Sequence, residues 1–279
     1  MAIETNVVES KGYESILYDV KDRIATITIN RPEQLNTWND MVAIEVYEAM
    51  QRAGADKGVR VIIFTGAGKA FCAGGDINSF GGDPHQLMTK LPRPFDMRQR
   101  ADWQTRCSYY PAIPKPVIAM LNGATVGIGL IHALFCDIRF VAEDATITTA
   151  FARRGLTAEY GMAWILERHV GHAHALDLLL SGRKIKGREA ERMGLVNRAI
   201  PAEQLVEETY AYARDLAQNC SPRSMRVMKQ QLWEVPFQTC HEAVMSAGLD
   251  MPVANQGPDY KEGIASFMEK RRPDFPDDV

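Results

Sequence analysis

At 279 residues, 46% hydrophobic and 24% charged, the chain has the make-up of a globular protein with a substantial core, as one large domain or two small ones. A net charge of −3 and a pI near 6.1 give no general electrostatic pull toward nucleic acid or an acidic membrane surface. No apolar run reaches the roughly 20 residues of a membrane span, and the N-terminal MAIETNVVESKGYES lacks the apolar segment of a secretory signal. The five cysteines (Cys72, Cys107, Cys136, Cys220, Cys240) follow no metal or disulfide spacing. A cytoplasmic setting with free thiols and no bound metal is expected.

In chain order, Ser15 to Asp19 and Arg23 to Asn30 read as strands, and Ile24 to Ile29 alternates like a half-buried hairpin partner. Arg31-Pro32 ends that pattern. Asn39 to Gly54 spaces Met41, Ile44, Val46, Ala49 and Met50 for an amphipathic helix. The β-branched run Val59 to Thr65 then leads to a small-residue turn, Ala73-Gly74-Gly75-Asp76. Pro116 to Leu121 leads to a second, Asn122 to Gly129. After each turn the sequence becomes helix-compatible. A strand that ends in a glycine turn and opens a helix leaves backbone N–H groups unpaired and aimed at one spot. Either turn alone is an ordinary strand-to-helix connection; two facing turns supply two donors to one developing oxyanion.

Between the turns, Ser79 to Ala112 is irregular, with Gly81-Gly82-Asp83-Pro84 and Leu91-Pro92-Arg93-Pro94, and long loops of this kind are often functional. Beyond the second turn come a helix over Ile128 to Phe135, a strand over Ile138 to Ala142 and a short β run over Thr146 to Ala150. Helices follow over Tyr160 to Val170, His174 to Leu180 and Gly187 to Met193, then a short strand over Val196 to Pro201. From Ala202 only helices are expected: Ala202 to Asn219, Ser221 to Val235, Thr239 to Leu249 and Gly257 to Arg271. Alternation followed by helices implies an α/β fold with a helical tail.

The run Lys69-Ala70-Phe71-Cys72-Ala73-Gly74-Gly75-Asp76-Ile77 resembles the first oxyanion-hole signature of the crotonase (enoyl-CoA hydratase/isomerase) superfamily. Lys115 to Gly123, with the glycines after it and Cys136-Asp137, resembles the second. Asn30 to Asn36 is similar to the family's early CoA-loop motif, and Phe267 to Arg271 to its closing helix. The resemblance implies a crotonase-like spiral of ββα units with the CoA and acyl site over residues 1–201. It also implies a helical trimerisation section over residues 202–279, in a homotrimer or homohexamer. The substrate it implies is an acyl-CoA, with coenzyme A as part of the thioester rather than a separate cofactor. Gly75 and Ile128 would be the oxyanion donors. The backbone of Gln34 and Leu35, with Ala73, Asp76, Ile77, Phe267 and Lys270, would contact CoA, the last two from a neighbouring subunit. The irregular stretch would border the acyl pocket, with Phe80, Phe95, Trp103 and Tyr109 as candidate walls, each read first as a packing residue.

Family hydratases pair two glutamates to activate water and deliver a proton. On this chain those positions are Ile131 and Phe151, both apolar. Within Gly155 to Gly161, Glu159 occupies the place where some isomerase, dehalogenase and diketone-hydrolase branches carry their acid. Read without the family, Glu159 would be a helix-start glutamate favoured by the helix dipole. As a single acid/base in an apolar pocket it fits double-bond isomerisation best. The alternatives are a one-glutamate hydratase, a retro-Claisen β-diketone hydrolase using His132 or Glu159, and an inactive CoA-ester-binding protein. His132 adjoins the vacant first position but is rotated about 100° from it, which suits packing. Either Arg153 or Arg154 would face Glu159, or both would face solvent; His169, His172 and His174 read as surface or interface residues.

Overall fold

The computed structural model describes residues 12–76, 95–97 and 99–277. The chain opens with an antiparallel hairpin, β1 (Ile16–Lys21) and β2 (Ile24–Ile29), and then α1 (Asp40–Ala55). Asn39 caps α1 by accepting from the Val42 N–H at 2.9 Å, and Val42, Val46, Ala49, Met50 and Ala53 turn inward. Next come β3 (Val61–Gly66), β4 (Ala70–Cys72), β5 (Val117–Leu121), β6 (Ala124–Val126) and α2 (Ile128–Phe135). They are followed by β7 (Ile138–Ala142), β8 (Thr146–Thr148), α3 (Met162–Ser181), β9 (Ile185–Lys186), α4 (Gly187–Arg192) and β10 (Arg198–Ile200).

These strands build two sheets, ordered β1-β2-β3-β5-β7-β10 and β4-β6-β8-β9. Each winding gives one strand to each sheet: β3 then β4, β5 then β6, β7 then β8. This is the expected spiral of ββα units, with β2, β3, β5, β7 and β10 parallel. Every residue of β3 and β5 is buried, which explains their unbroken apolar sequences: a parallel strand covered on both faces has no polar side.

The structure differs from the sequence reading in scale. The first glycine stretch follows the short β4 rather than β3, and the second contains β6 within it; three-residue strands are too short to show a period. The helices expected over Tyr160 to Val170 and His174 to Leu180 are two segments of α3 that meet at Gly171, whose backbone leaves the helix at φ 73°, ψ 165°. The motifs Gly81-Gly82-Asp83-Pro84 and Leu91-Pro92-Arg93-Pro94, with Ile77 and Phe80, lie outside the described residues.

After residue 201 come α5 (Leu205–Asn219), α6 (Pro222–Glu234), α7 (Cys240–Gln256) and α8 (Pro258–Glu269). Buried Lys229 ties α6 to the core, pairing with Asp137 at 2.7 Å and donating to the Lys115 carbonyl at 2.9 Å. The Trp233 indole N–H donates to the other Asp137 oxygen. Farther out, Leu232 and Leu249 are about three-quarters exposed, at 73% and 76%. Among the described residues no helix is long and apolar enough to cross a membrane. Cys72, Cys107 and Cys136 are buried thiols and Cys240 is exposed.

One close approach fixes the site. A Cβ on Gly129 of α2 would meet the Cys72 Cβ at 2.6 Å, its Sγ at 2.8 Å and its carbonyl oxygen at 2.9 Å. Only hydrogen fits between α2 and β4. Gly129→Ala should therefore destabilise the fold by about 1–3 kcal/mol, the usual size of an overpacking strain, measured by urea denaturation; unchanged stability would mean that the approach is not tight.

Candidate active site

The two glycine stretches open onto one cleft of ≈ 180 Å³. Ala73, Gly74, Gly75 and Asp76 line one side, and Val126, Gly127 and Ile128 another. Gly74 (φ 114°) and Gly127 (φ 51°) both take backbone conformations that disfavour a side chain. Trp38 holds the first turn by pairing across Gly75: its N–H donates to the Gly74 carbonyl and its own carbonyl accepts from the Asp76 N–H, both at 2.8 Å. The Gly75 N–H lies between those bonds and has no acceptor among the described residues. Ile128 is the first residue of α2, so its N–H also lacks an intrahelical partner. Both residues line the cleft, one from each turn, and neither N–H has an acceptor among the described residues.

The opposite wall comes from the segment between β8 and α3: Thr149, Ala150, Phe151, Arg154, Leu156, Glu159 and Tyr160. Ala150 (φ 62°) and Tyr160 (φ 48°) are non-glycine residues in the left-handed region. Burial pushes the Glu159 carboxyl above its ordinary value, and nearby charges contribute nothing comparable. The other carboxylates of the wall are paired: Asp76 with Arg31 at 3.0 Å, and Asp40 with Arg106 at 2.7 Å.

The likeness to known proteins agrees with this geometry. The family model described as enoyl-CoA hydratase/isomerase matches residues 19–278. A probable enoyl-CoA hydratase of Mycobacterium tuberculosis is 36% identical, over 93% of this chain and 91% of its own. The 1,2-epoxyphenylacetyl-CoA isomerase of Escherichia coli is 31% identical, over 94% and 98%. Among solved structures, an enoyl-CoA hydratase of Bacillus anthracis superposes with a TM-score of 0.85 at 27% identity, over 95% of this chain and 100% of its own. The chain belongs to the enoyl-CoA hydratase/isomerase family.

At the family's two glutamate positions, Ile131 is fully buried behind the cleft and Phe151 lines its wall. In the loop resembling the CoA motif, the N–H groups of Gln34 and Leu35 are committed to the Arg31 and Pro32 carbonyls. Their own carbonyls already accept from Thr37 and Ala73, so only the remaining oxygen lone pairs face outward bonds. Asn36 pins the loop by donating to the Ala67 and Ala70 carbonyls. Phe267, 81% exposed, and Lys270, the cap of α8, do not line the cleft of their own chain.

Several expectations need correction. Phe95, Trp103 and Tyr109 are not cleft walls: Phe95 faces outward, Trp103 packs against Trp164, Trp233 and Phe237, and Tyr109 is buried against Tyr110. The aromatic lining comes instead from Trp38, Phe151 and Tyr160. Trp38 and Tyr160 adjoin the CoA-loop motif and Glu159 in sequence, and that adjacency was the available signal. Arg106 gave none, because it reaches the cleft from the irregular stretch. Of the two arginines, Arg154 lines the cleft, while Arg153 donates to the Ser181 carbonyl. His169 is half-buried rather than freely exposed; its Nε2 bonds the Leu134 carbonyl at 3.0 Å, and burial lowers its pKa to about 4.

His132 is wholly buried and does not line the cleft, so as a packed histidine it matches expectation. Burial, reinforced by the Arg106 charge, lowers its pKa to about 3. Its ring should stay neutral from pH 5 to 8, read as an invariant imidazole shift in NMR. Because the unfolded ring titrates near 6.5, unfolding takes up a proton between about pH 6.5 and 3, and this contribution to stability is lost as the pH falls through that window. A ring that titrates near 6.5 in the folded protein would contradict its burial.

Proposed function

We propose that the chain is an acyl-CoA isomerase that grips the thioester carbonyl between the Gly75 and Ile128 N–H groups and moves a proton with Glu159. The observation that carries this reading is that Glu159 alone, among the described carboxylates of the cleft, has no cationic partner. Asp40 and Asp76 are already neutralised by arginines, and the second family glutamate is replaced by Phe151. One unpaired carboxylate suffices to shuttle a proton between two carbons of one substrate.

On a 3-enoyl thioester the Glu159 carboxylate takes a proton from C2. The electron pair moves into the carbonyl, and the dienolate oxygen is met by the two N–H donors. Glu159 then returns the proton to C4, the double bond comes to rest between C2 and C3, and the carboxylate is regenerated. A positioned base contributes roughly 10²–10⁴-fold, and an oxyanion donor roughly 10²–10³-fold. A raised pKa matches the carboxyl to both halves of the shuttle. An isomerase among the close relatives accords with this chemistry.

Hydration by the same carboxylate is the second reading. It is favoured by the names of the other relatives and by the Tyr160 phenol, which lines the cleft beside Glu159 as a further contact for water. A retro-Claisen hydrolase would have to rely on Glu159 alone, since His132 does not reach the cleft. A CoA-ester-binding protein without turnover would show no dependence on Glu159. We also propose assembly into a homotrimer or homohexamer through the apolar outer faces of α6 to α8, bringing Phe267 and Lys270 to the CoA of a neighbouring subunit.

The deciding experiment follows bond migration and water addition separately on 3-enoyl-CoA and 2-enoyl-CoA substrates. Glu159→Gln should lower migration by roughly 10²–10⁴-fold; migration that survives the substitution rules the isomerase reading out. Loss of hydration alone would make the protein a one-glutamate hydratase. The rate should fall as the pH drops through a pKa above the usual carboxylate value of roughly 4.3, because only ionised Glu159 accepts the proton. An acid limb at or below the ordinary value would show that Glu159 is solvated during turnover.

A further inference from the structure

The two oxyanion donors sit on different parts of the chain, so something must set the distance between them. On one side Trp38 brackets Gly75 through its backbone. On the other, Ile128 starts α2, and His132 lies one helical turn later on the same helix. The Trp38 and His132 rings are stacked, with centroids 3.8 Å apart and planes 22° from parallel. Both are buried, at 4% and 0% exposure. A continuous rigid path therefore joins the donors: Gly75, the Trp38 backbone, the indole, the imidazole, the α2 backbone and Ile128.

The imidazole is locked in its plane. The Tyr109 hydroxyl donates to the Tyr110 hydroxyl at 3.3 Å, which leaves the Tyr110 proton for His132 Nδ1 at 2.8 Å. His132 Nε2 then carries the hydrogen and points to Cys107 Sγ at 3.5 Å. Each group in this chain has a partner, so the ring cannot turn without leaving a buried polar atom unpaired. A neutral ring in that orientation presents a flat face to the indole. The contact of Gly129 with Cys72 limits how near α2 comes to β4, but it does not fix the helix's rotation about its axis. The stacked rings do.

We propose that His132 and Trp38 are a positioning pair that sets the separation and aim of the Gly75 and Ile128 N–H groups. This rests on the oxyanion reading given above. His132 never touches substrate; it acts through the indole and through its own helix. A misplacement of about 1 Å in such a site costs on the order of 10²-fold, so the pair governs rate far more than binding.

The test uses cinnamoyl-CoA, whose conjugated thioester absorbs at longer wavelength when its carbonyl is polarised, alongside turnover of 3-hexenoyl-CoA. Ile128→Pro serves as the control for the hole itself. Proline is accepted at the first position of a helix and removes the N–H, and Ile128→Ala, which trims the side chain but keeps the N–H, separates the donor from the wall; Gly127 ahead of it has a positive φ of 51°. If Ile128→Pro keeps both the red shift and the turnover, the oxyanion reading fails, and the pair with it.

With the shift lost in Ile128→Pro, His132→Leu should lose most of it too. Its kcat should fall by roughly ten- to a hundredfold while KM moves far less. Trp38→Leu should do the same, and the double variant should be no worse than either single one, since both break the same path. His132→Phe and Trp38→Phe keep an aromatic face and should recover much of the shift; they also serve if the leucine variants do not fold. A full shift and unchanged kcat in His132→Leu, or phenylalanine variants no better than the leucine ones, would overturn the positioning role and leave the oxyanion hole standing.

Discussion

Where α2 crosses β4, Gly129 meets Cys72 at a distance that admits only a hydrogen, and the placement of the cleft follows from that contact. It brings α2 against β4, where the first glycine turn begins and the second ends. It limits how near α2 comes to β4, and so how near Ile128 comes to the first glycine turn. The fully buried β3 and β5 and the buried face of α1 supply the apolar burial that holds the crossing shut, since close packing resists even small separations. Backbone donors placed in this way need no side chain of their own. An isoleucine at 128 therefore leaves the donor intact and changes only the shape of the wall.

The charges of the cleft divide into two kinds. Asp40 and Asp76 pair with guanidinium groups, and Arg31 joins the loop after β2 to the first glycine turn. Glu159 has no such partner among the described residues, and burial raises its proton affinity. Sorting the three carboxylates by their partners in this way is what singles out Glu159 for the proposed proton transfer.

Much of this was legible in the sequence, for physical reasons. Long parallel strands announce themselves as unbroken apolar runs, and α1 and α2 by their spacing; Ile128–Phe135 and Ile138–Ala142 fall where they were expected. The glycines were readable because Gly123 and Gly129 leave no room for a Cβ and Gly74 and Gly127 take positive φ. The missed features are those with no periodic signature. The short strands β4 and β6 exist through pairing with partners distant in sequence, and Arg106 reaches the cleft along an irregular path. Trp103 and Tyr109 sit in the stretch nearest the pocket yet point into the core, because an aromatic ring gains more from full burial than from a solvent-facing wall. Helix rotation favoured packing for His132, but gave no sign of the network that packs it.

The left-handed backbones of Ala150 and Tyr160 flank the segment that carries Phe151, Arg154 and Glu159. A side chain there opposes the turn, at a cost on the order of 1–3 kcal/mol per residue. The rim that aims the carboxylate is thus where this protein trades thermal robustness for shape. Selection for heat resistance alone would drift toward glycine or asparagine at both sites and would slacken the segment it relaxed. Hardening this enzyme and keeping it fast are opposed aims at those two residues, whereas the sheet beneath offers stabilising changes free of that conflict.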